Sequence, residues 1–281
     1  MFGHYETTNF EFILKLLLET SQVNKVLNIE DYKTREYYYE LRDALINTIR
    51  EIHPTYPNVK HLLIRIANFL ANFRTVLSLN YDLLVYWSML LGNEERKCQT
   101  FKDCFVRGKF EKDFDYLRKP YPPATDSTLV FYPHGGLFLA TDIYGDEVKL
   151  SRSIEDSLLE AILSKWAEKD YIPLFVSEGT TTEKFRAITR SNYLNSVYDS
   201  ALAEIKGPLV IYGWSASQYD EHIFNAIDHK DITSIAISVH TENPNYESYC
   251  DTIEERIART RHLRKNDLLF FDYKSSGCWI Y

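Results

Sequence analysis

Apolar residues recur at helical spacing through the first quarter of the chain. Phe10, Ile13, Leu14, Leu17 and Leu18 mark one face, and Thr8-Asn9-Phe10-Glu11 ahead of them fits a capping box, with Thr8 capping and Glu11 reaching back. A second helix is predicted to turn Leu41, Ala44, Leu45, Thr48, Ile49 and Ile52 inward. It should stop at His53-Pro54, because proline disfavours the α region in the residue before it. A third, from about Pro57, carries Leu62, Leu63, Ile66, Phe69, Leu70 and Phe73 toward the core. Residues 1–73 therefore read as a mainly helical portion.

From Arg74 the pattern changes to short apolar β-prone runs alternating with helical stretches. The candidate strands are "TVLSL" before Asn80, "TLVFY" before Pro133-His134, "PLFVS" before Glu178-Gly179, "PLVIY" before Gly213, "SIAISV" before His240, and "DLLFFDY". Near-continuous apolar strands between helices predict an α/β fold: a Rossmann-like, mostly parallel sheet with helices on both faces, formed by residues 74–281. The charged and aromatic segment Gly92–Asp126 reads as a long excursion between strands, and no linker divides residues 1–281 into separate domains. Each apolar run ends in polar or glycine residues, and open α/β sheets bind ligands beyond the carboxyl ends of their strands.

Charge narrows the choice of partner. Lys plus Arg number 32 against 40 Asp plus Glu, a net charge of −8 with no basic stretch, which argues against nucleic acid. The start "MFGHYETTNFEF" lacks a secretion signal and no apolar run approaches a membrane span, so a cytoplasmic protein without membrane contact is expected. Cys98, Cys104, Cys250 and Cys278 contain no CxxC pair and read as reduced, mostly buried thiols. The 21 tyrosines and 16 phenylalanines leave a homo-oligomer interface open.

Four strand ends carry candidate chemistry. Asn80 and Asp82 stand where a strand gives way to a helix starting near Tyr81; an N-cap and a helix-dipole partner explain them as well as a ligand does. His134 follows a β-run between Pro133 and the glycines Gly135 and Gly136, a loop that lets backbone approach a ligand. An imidazole with an ordinary pKa near ~6.5 can serve there as a general base, an effect of order ~10²–10⁴ in rate. "VIYGWSASQYDEHI" places Gly213, Ser215 and Ser217 in a turn whose amides and hydroxyls suit an anion or a ribose. Asp220 and His222 resemble a metal pair, but Asp220 is equally an N-cap, and no metal is expected. Glu178 can accept from ribose hydroxyls, or Thr182 can simply cap the next helix.

A strand ending N-x-D, then one ending H-G, then one ending G-x-S resembles the sirtuin-type NAD-consuming fold. The wider string "LNYDLLVYW", "VFYPHGGLFLA", "LFVSEGTTTEKF", "YLNSVYDSAL" and "VIYGWSASQYDEHI" resembles the bacterial sirtuin-like family labelled domain of unknown function 4917, over nearly the whole chain. The resemblance implies an NAD hydrolase with NAD as substrate. Asn80 would orient the ribose and the attacking water, Asp82 would support that pocket, His134 would be general base, and Gly213 and Ser215 would hold the adenosine side. It also implies a possible role in anti-phage defence. Deacylation is disfavoured, because no four-cysteine zinc pattern is present. The alternative is a non-catalytic module that binds NAD or ADP-ribose.

One departure matters. The superfamily opens with a strand and a glycine-rich turn that cradles the pyrophosphate, and this sequence begins beyond that point. Losing that central strand would leave edges on two neighbours. An upstream start and a degenerate relative both account for it, and the joint presence of Asn80, His134 and the G-x-S turn favours the first.

Overall fold

Three helices come first. In the computed structural model, which describes residues 1–7, 10–95, 99–142, 144–150, 158–168, 171–176, 180–215, 217–228, 231–260 and 262–281, they are α1 (Phe10–Leu27), α2 (Tyr32–Ile52) and α3 (Tyr56–Leu70). Thr8 and Asn9 of the predicted capping box lie outside the described residues. α2 stops before Pro54 as predicted, with His53 at its C-cap. Its buried face, however, is Tyr38, Arg42, Ile46 and Ile49, while Ile52 is exposed. The apolar count misplaced the face because a buried arginine looks like a surface residue. Here the Arg42 guanidinium lies over the Tyr39 ring and donates to the Ala167 carbonyl, covering apolar surface with its stem. α3 begins with Pro57 in its first turn, where a missing N–H costs nothing.

The remaining elements follow in chain order: β1 (Thr75–Leu77), α4 (Leu84–Glu95), β2 (Gln99–Lys102), β3 (Phe105–Val106), β4 (Lys109–Phe110), α5 (Phe114–Leu117), β5 (Asp126–Phe131), β6 (Gly135–Thr141), β7 (Glu147–Lys149), α6 (Leu158–Glu168), β8 (Ile172–Phe175), α7 (Thr181–Arg190), α8 (Asn192–Ser196), β9 (Gly207–Ile211), α9 (Glu221–Ile227), β10 (Ile232–Val239), α10 (Tyr246–Arg259) and β11 (Leu268–Asp272). A mixed α/β architecture with parallel strands is present, but in place of one continuous sheet the described residues form two three-stranded parallel sheets, ordered β1-β5-β2 and β9-β10-β11. "PLFVS" does not join either. β8 runs antiparallel to β6, which also pairs antiparallel with β7. The chain reverses after β5 because the Gly135 amide bonds the Tyr132 carbonyl at 2.8 Å, turning "GGLFLA" into a buried strand that its glycines had disguised as loop. The Gly92–Asp126 excursion likewise supplies β2 to the first parallel sheet.

Two cores result. The larger is built on β5, β6, α3, α4 and α6, around Leu63, Trp87, Leu129, Phe138 and Trp166; the smaller joins β9 and β10 to α9 and α10. Leu77 touches both, so β1 faces the boundary between the sheets. Among the described strands, β1 and β9 each have a single neighbour. Of the described cysteines only Cys104 is buried; Cys250 and Cys278 are partly exposed. No described helix is long and apolar enough to cross a membrane.

Candidate functional site

β1 and β5 pair in register, with Leu77 opposite Phe131. Asn80 and His134 therefore each lie three residues beyond matched positions of neighbouring parallel strands, at the same carboxyl rim. Backbone bonds fix the two loops together: the Ser78 amide donates to the Phe131 carbonyl at 2.9 Å and the Leu137 amide to the Tyr81 carbonyl at 2.9 Å. The loop carrying His134 is held from the other side by the Val176 amide on its own carbonyl at 2.7 Å. Gly135 has φ +77°, and a Cβ there would meet the Leu174 carbonyl oxygen at 2.1 Å. That glycine is required by the close approach of β8, independently of any ligand.

The His134 ring is 3% exposed, and its Nε2 lies 2.9 Å from Nε2 of His222, which is 4% exposed in the first turn of α9. The ring centroids are 5.2 Å apart and the planes differ by 30°, so the rings meet edge to edge through these nitrogens. Asp220 completes the cluster. It does not cap α9 with its side chain; its Oδ1 accepts from the buried Lys184 ammonium at 2.9 Å and its Oδ2 from Trp214 Nε1 at 3.3 Å. Lys184 reaches it from α7, whose start is fixed by a capping box between Thr180 and Glu183, Thr180 taking the cap that the sequence offered to Thr182. On this helix Lys184 and Ile188 are the buried pair at i, i+4. A lysine in phase with an apolar position was the signal for its role, and it was available in the sequence.

Electrostatics separates these groups. Burial, and then the neighbouring His222, push the His134 pKa down to about 3; burial takes His222 to about 4 against the opposing pull of Asp220. Burial alone would raise Asp220, but the bond and charge of Lys184 outweigh it and hold the carboxyl below its ordinary value. At neutral pH the site is two uncharged imidazoles beside a carboxylate–ammonium pair. Ligand atoms of His134, Asp220 and His222 lie within 4.8 Å of one another, close enough for a divalent cation, yet both Asp220 oxygens are already engaged and a lysine cation stands beside them.

The other candidates fall in different places. Asn80 is exposed, with its carbonyl accepting from Ser78 Oγ at 3.4 Å. Asp82 belongs to a neighbouring cluster: α4 begins at Leu84, not Tyr81, and Asp82 Oδ1 accepts the Leu84 amide at 2.8 Å beside His53. Gly213 has φ +68° with open space where a Cβ would stand, and its amide donates to Ser238 Oγ at 2.9 Å. Ser215 is exposed, and Ser217 caps the single turn Gln218–Asp220 by accepting the Tyr219 amide. Glu178 lies outside the described residues.

The fold and this cluster define a mixed α/β protein whose titratable side chains gather at the carboxyl rim of parallel strands, where two sheets meet. The family described as Domain of unknown function (DUF4917) matches residues 1–279, so the chain belongs to it. No curated protein matches the chain.

Proposed function

We propose that the protein is a sirtuin-like NAD hydrolase, working in the cytoplasm, that cleaves the nicotinamide glycosidic bond. The observation that carries the reading is the shared register of Asn80 and His134 beyond β1 and β5, with the Gly213–His222 turn beyond β9 contributing His222 to the same rim. In a Rossmann-like arrangement this is the crevice that takes a dinucleotide. Asn80, exposed beyond β1, would order the ribose and the attacking water. His134 would take the proton, and Gly213, Ser215 and Ser217 would face the adenosine side. Asp82 would act by fixing the start of α4 and with it the loop bearing Asn80. Nicotinamide leaves a cation-like ribose, so the reaction needs a base and ordered oxygens more than a strong acid. A role in anti-phage defence, through NAD depletion, follows by analogy with sirtuin-like relatives.

A second reading has its own support. An imidazole held at about 3 is a weak base, which favours a module that binds NAD or ADP-ribose without turning it over. Chromatographic assay of nicotinamide, run on this chain and on the protein with any in-frame segment preceding Met1, decides between them. Release that His134→Ala abolishes in a folded protein supports the hydrolase. Calorimetric binding of ADP-ribose with no release selects the binding module, and neither binding nor release rejects both.

A further inference from the structure

We propose that His134 and His222 work as one unit, a two-imidazole proton relay in which His222 sets the tautomer of His134 and receives its Nε2 hydrogen when His134 acts as a base. This deepens the hydrolase reading and rests on it for the identity of the reaction. The bond between the rings rests on geometry alone.

Nitrogen atoms 2.9 Å apart on two buried neutral imidazoles must be one donor and one acceptor. The surroundings of His222 decide which is which. Its Nδ1 is buried without a hydrogen-bond partner; the Tyr219 backbone carbonyl favours protonation of the ring, and with Nε2 turned to His134, Nδ1 is the nitrogen left to meet it. A carbonyl only accepts. A lone pair on Nδ1 would face another lone pair, so the hydrogen sits on Nδ1 and leaves Nε2 of His222 as the acceptor. His134 then donates from Nε2, and its Nδ1 carries the free lone pair.

Proton transfer balances through this chain. When His134 Nδ1 removes a proton from water or a ribose hydroxyl, the O–H bond breaks and an N–H bond forms at Nδ1. The Nε2 hydrogen of His134 passes to Nε2 of His222. His134 ends neutral and His222 becomes the imidazolium, so positive charge has moved one ring along and rests beside the Asp220 carboxylate, which favours protonation of His222. Lys184 on α7 opposes by like charge while bonded to that same carboxylate. Tyr198, on the turn after α8, donates its hydroxyl to the His222 carbonyl at 2.9 Å. Asp220, Lys184 and Tyr198 are the charged and titratable groups around the pair among the described residues.

The test is nuclear magnetic resonance of protein labelled with nitrogen-15 histidine, with His134→Gln and His222→Gln for assignment. The relay predicts a nitrogen–nitrogen coupling between the two Nε2 atoms, with a hydrogen on Nδ1 of His222. In a turnover assay, His222→Gln should lower release by about tenfold or more and displace the acid limb of the pH profile, which a merely structural role would leave in place. Uncoupled Nε2 resonances, or an unchanged profile in His222→Gln, overturn the relay. So does one equivalent of zinc binding both Nε2 atoms and abolishing the coupling. Coupling without turnover in any form of the protein keeps the paired rings and rejects the hydrolase, whereas turnover without coupling does the reverse.

Discussion

His53 and His134 are both buried histidines, 9% and 3% exposed, and the chain employs them in opposite ways. Both His53 nitrogens are bound to backbone: Nδ1 meets the Pro54 carbonyl at 2.8 Å and Nε2 accepts the Leu83 amide at 3.0 Å. With Asp82 on the Leu84 amide, it satisfies the exposed donors at the start of α4, and its ring packs edge-on against Trp87. Among the described residues the His134 ring bonds no backbone, and its hydrogen-bond partner is another imidazole, itself beside an ion pair. A histidine whose two nitrogens are spent on the main chain cannot move a proton without breaking a cap. One bonded only to a second titratable ring can.

Four substitutions and a pH series press on that contrast. The largest effect belongs to His134→Ala, which should cut nicotinamide release by about 10²–10⁴-fold and shift stability by roughly 1–2 kcal/mol. His53→Ala should do the converse, costing about 2–3 kcal/mol through an orphaned amide and lost packing while turnover per folded molecule holds. Chemical denaturation and the nicotinamide assay on the same samples read both. If His53→Ala abolished turnover at full folding, the division would collapse. Gly135→Ala should cost about 3 kcal/mol, since the new methyl would meet the Leu174 carbonyl at a positive φ; a melting temperature within error of wild type would show that β8 does not press on this turn.

Acid should act on both regions with one sign. The pKa values of His134 and His222 are depressed in the fold, to about 3 and about 4 from 6.5, and burial lowers His53 as well. Depressed bases give stability that is complete above pH 6.5 and lost as pH falls toward the folded values. Each ring of the rim pair should cost about 2 kcal/mol by pH 5, at about 1.4 kcal/mol per unit below 6.5, so the pair together should cost about 4 kcal/mol. Denaturant midpoints from pH 7.5 to pH 5 measure it, and a flat profile in wild type would contradict the burial of neutral rings. The smallest change is Asp82→Asn. Burial raises the Asp82 pKa, and asparagine keeps an oxygen for the Leu84 amide, so stability should move by less than about 1 kcal/mol and release should persist. Loss of release here would put Asp82 against substrate.

The contrast also explains what the sequence could convey. Strand positions, the parallel pairing of five of the candidate runs, and the stop of α2 at His53 follow from local apolar pattern and proline chemistry. His134 stood out because its glycine neighbours were visible, although Gly135 proves to answer to β8. What brings the site together is long-range. Lys184, Asp220 and His222 reach His134 only through the packing of α7 and α9, and no spacing rule encodes that meeting. Asp82 was misleading for a related reason: its partner His53 is far away in sequence, and the helix it starts begins at Leu84, two residues on. The β6–β8 pairing escaped because two glycines and a short apolar run carry no direction.

The central claim is that the His134 rim is a ligand site and the His53 cap is scaffold. Adding ADP-ribose to nitrogen-15 histidine-labelled protein, with both rings observed in one spectrum, tests it most directly. The account predicts saturable shifts at His134 and His222 with His53 unmoved. Silence at His134, or an equal response at His53, would contradict it.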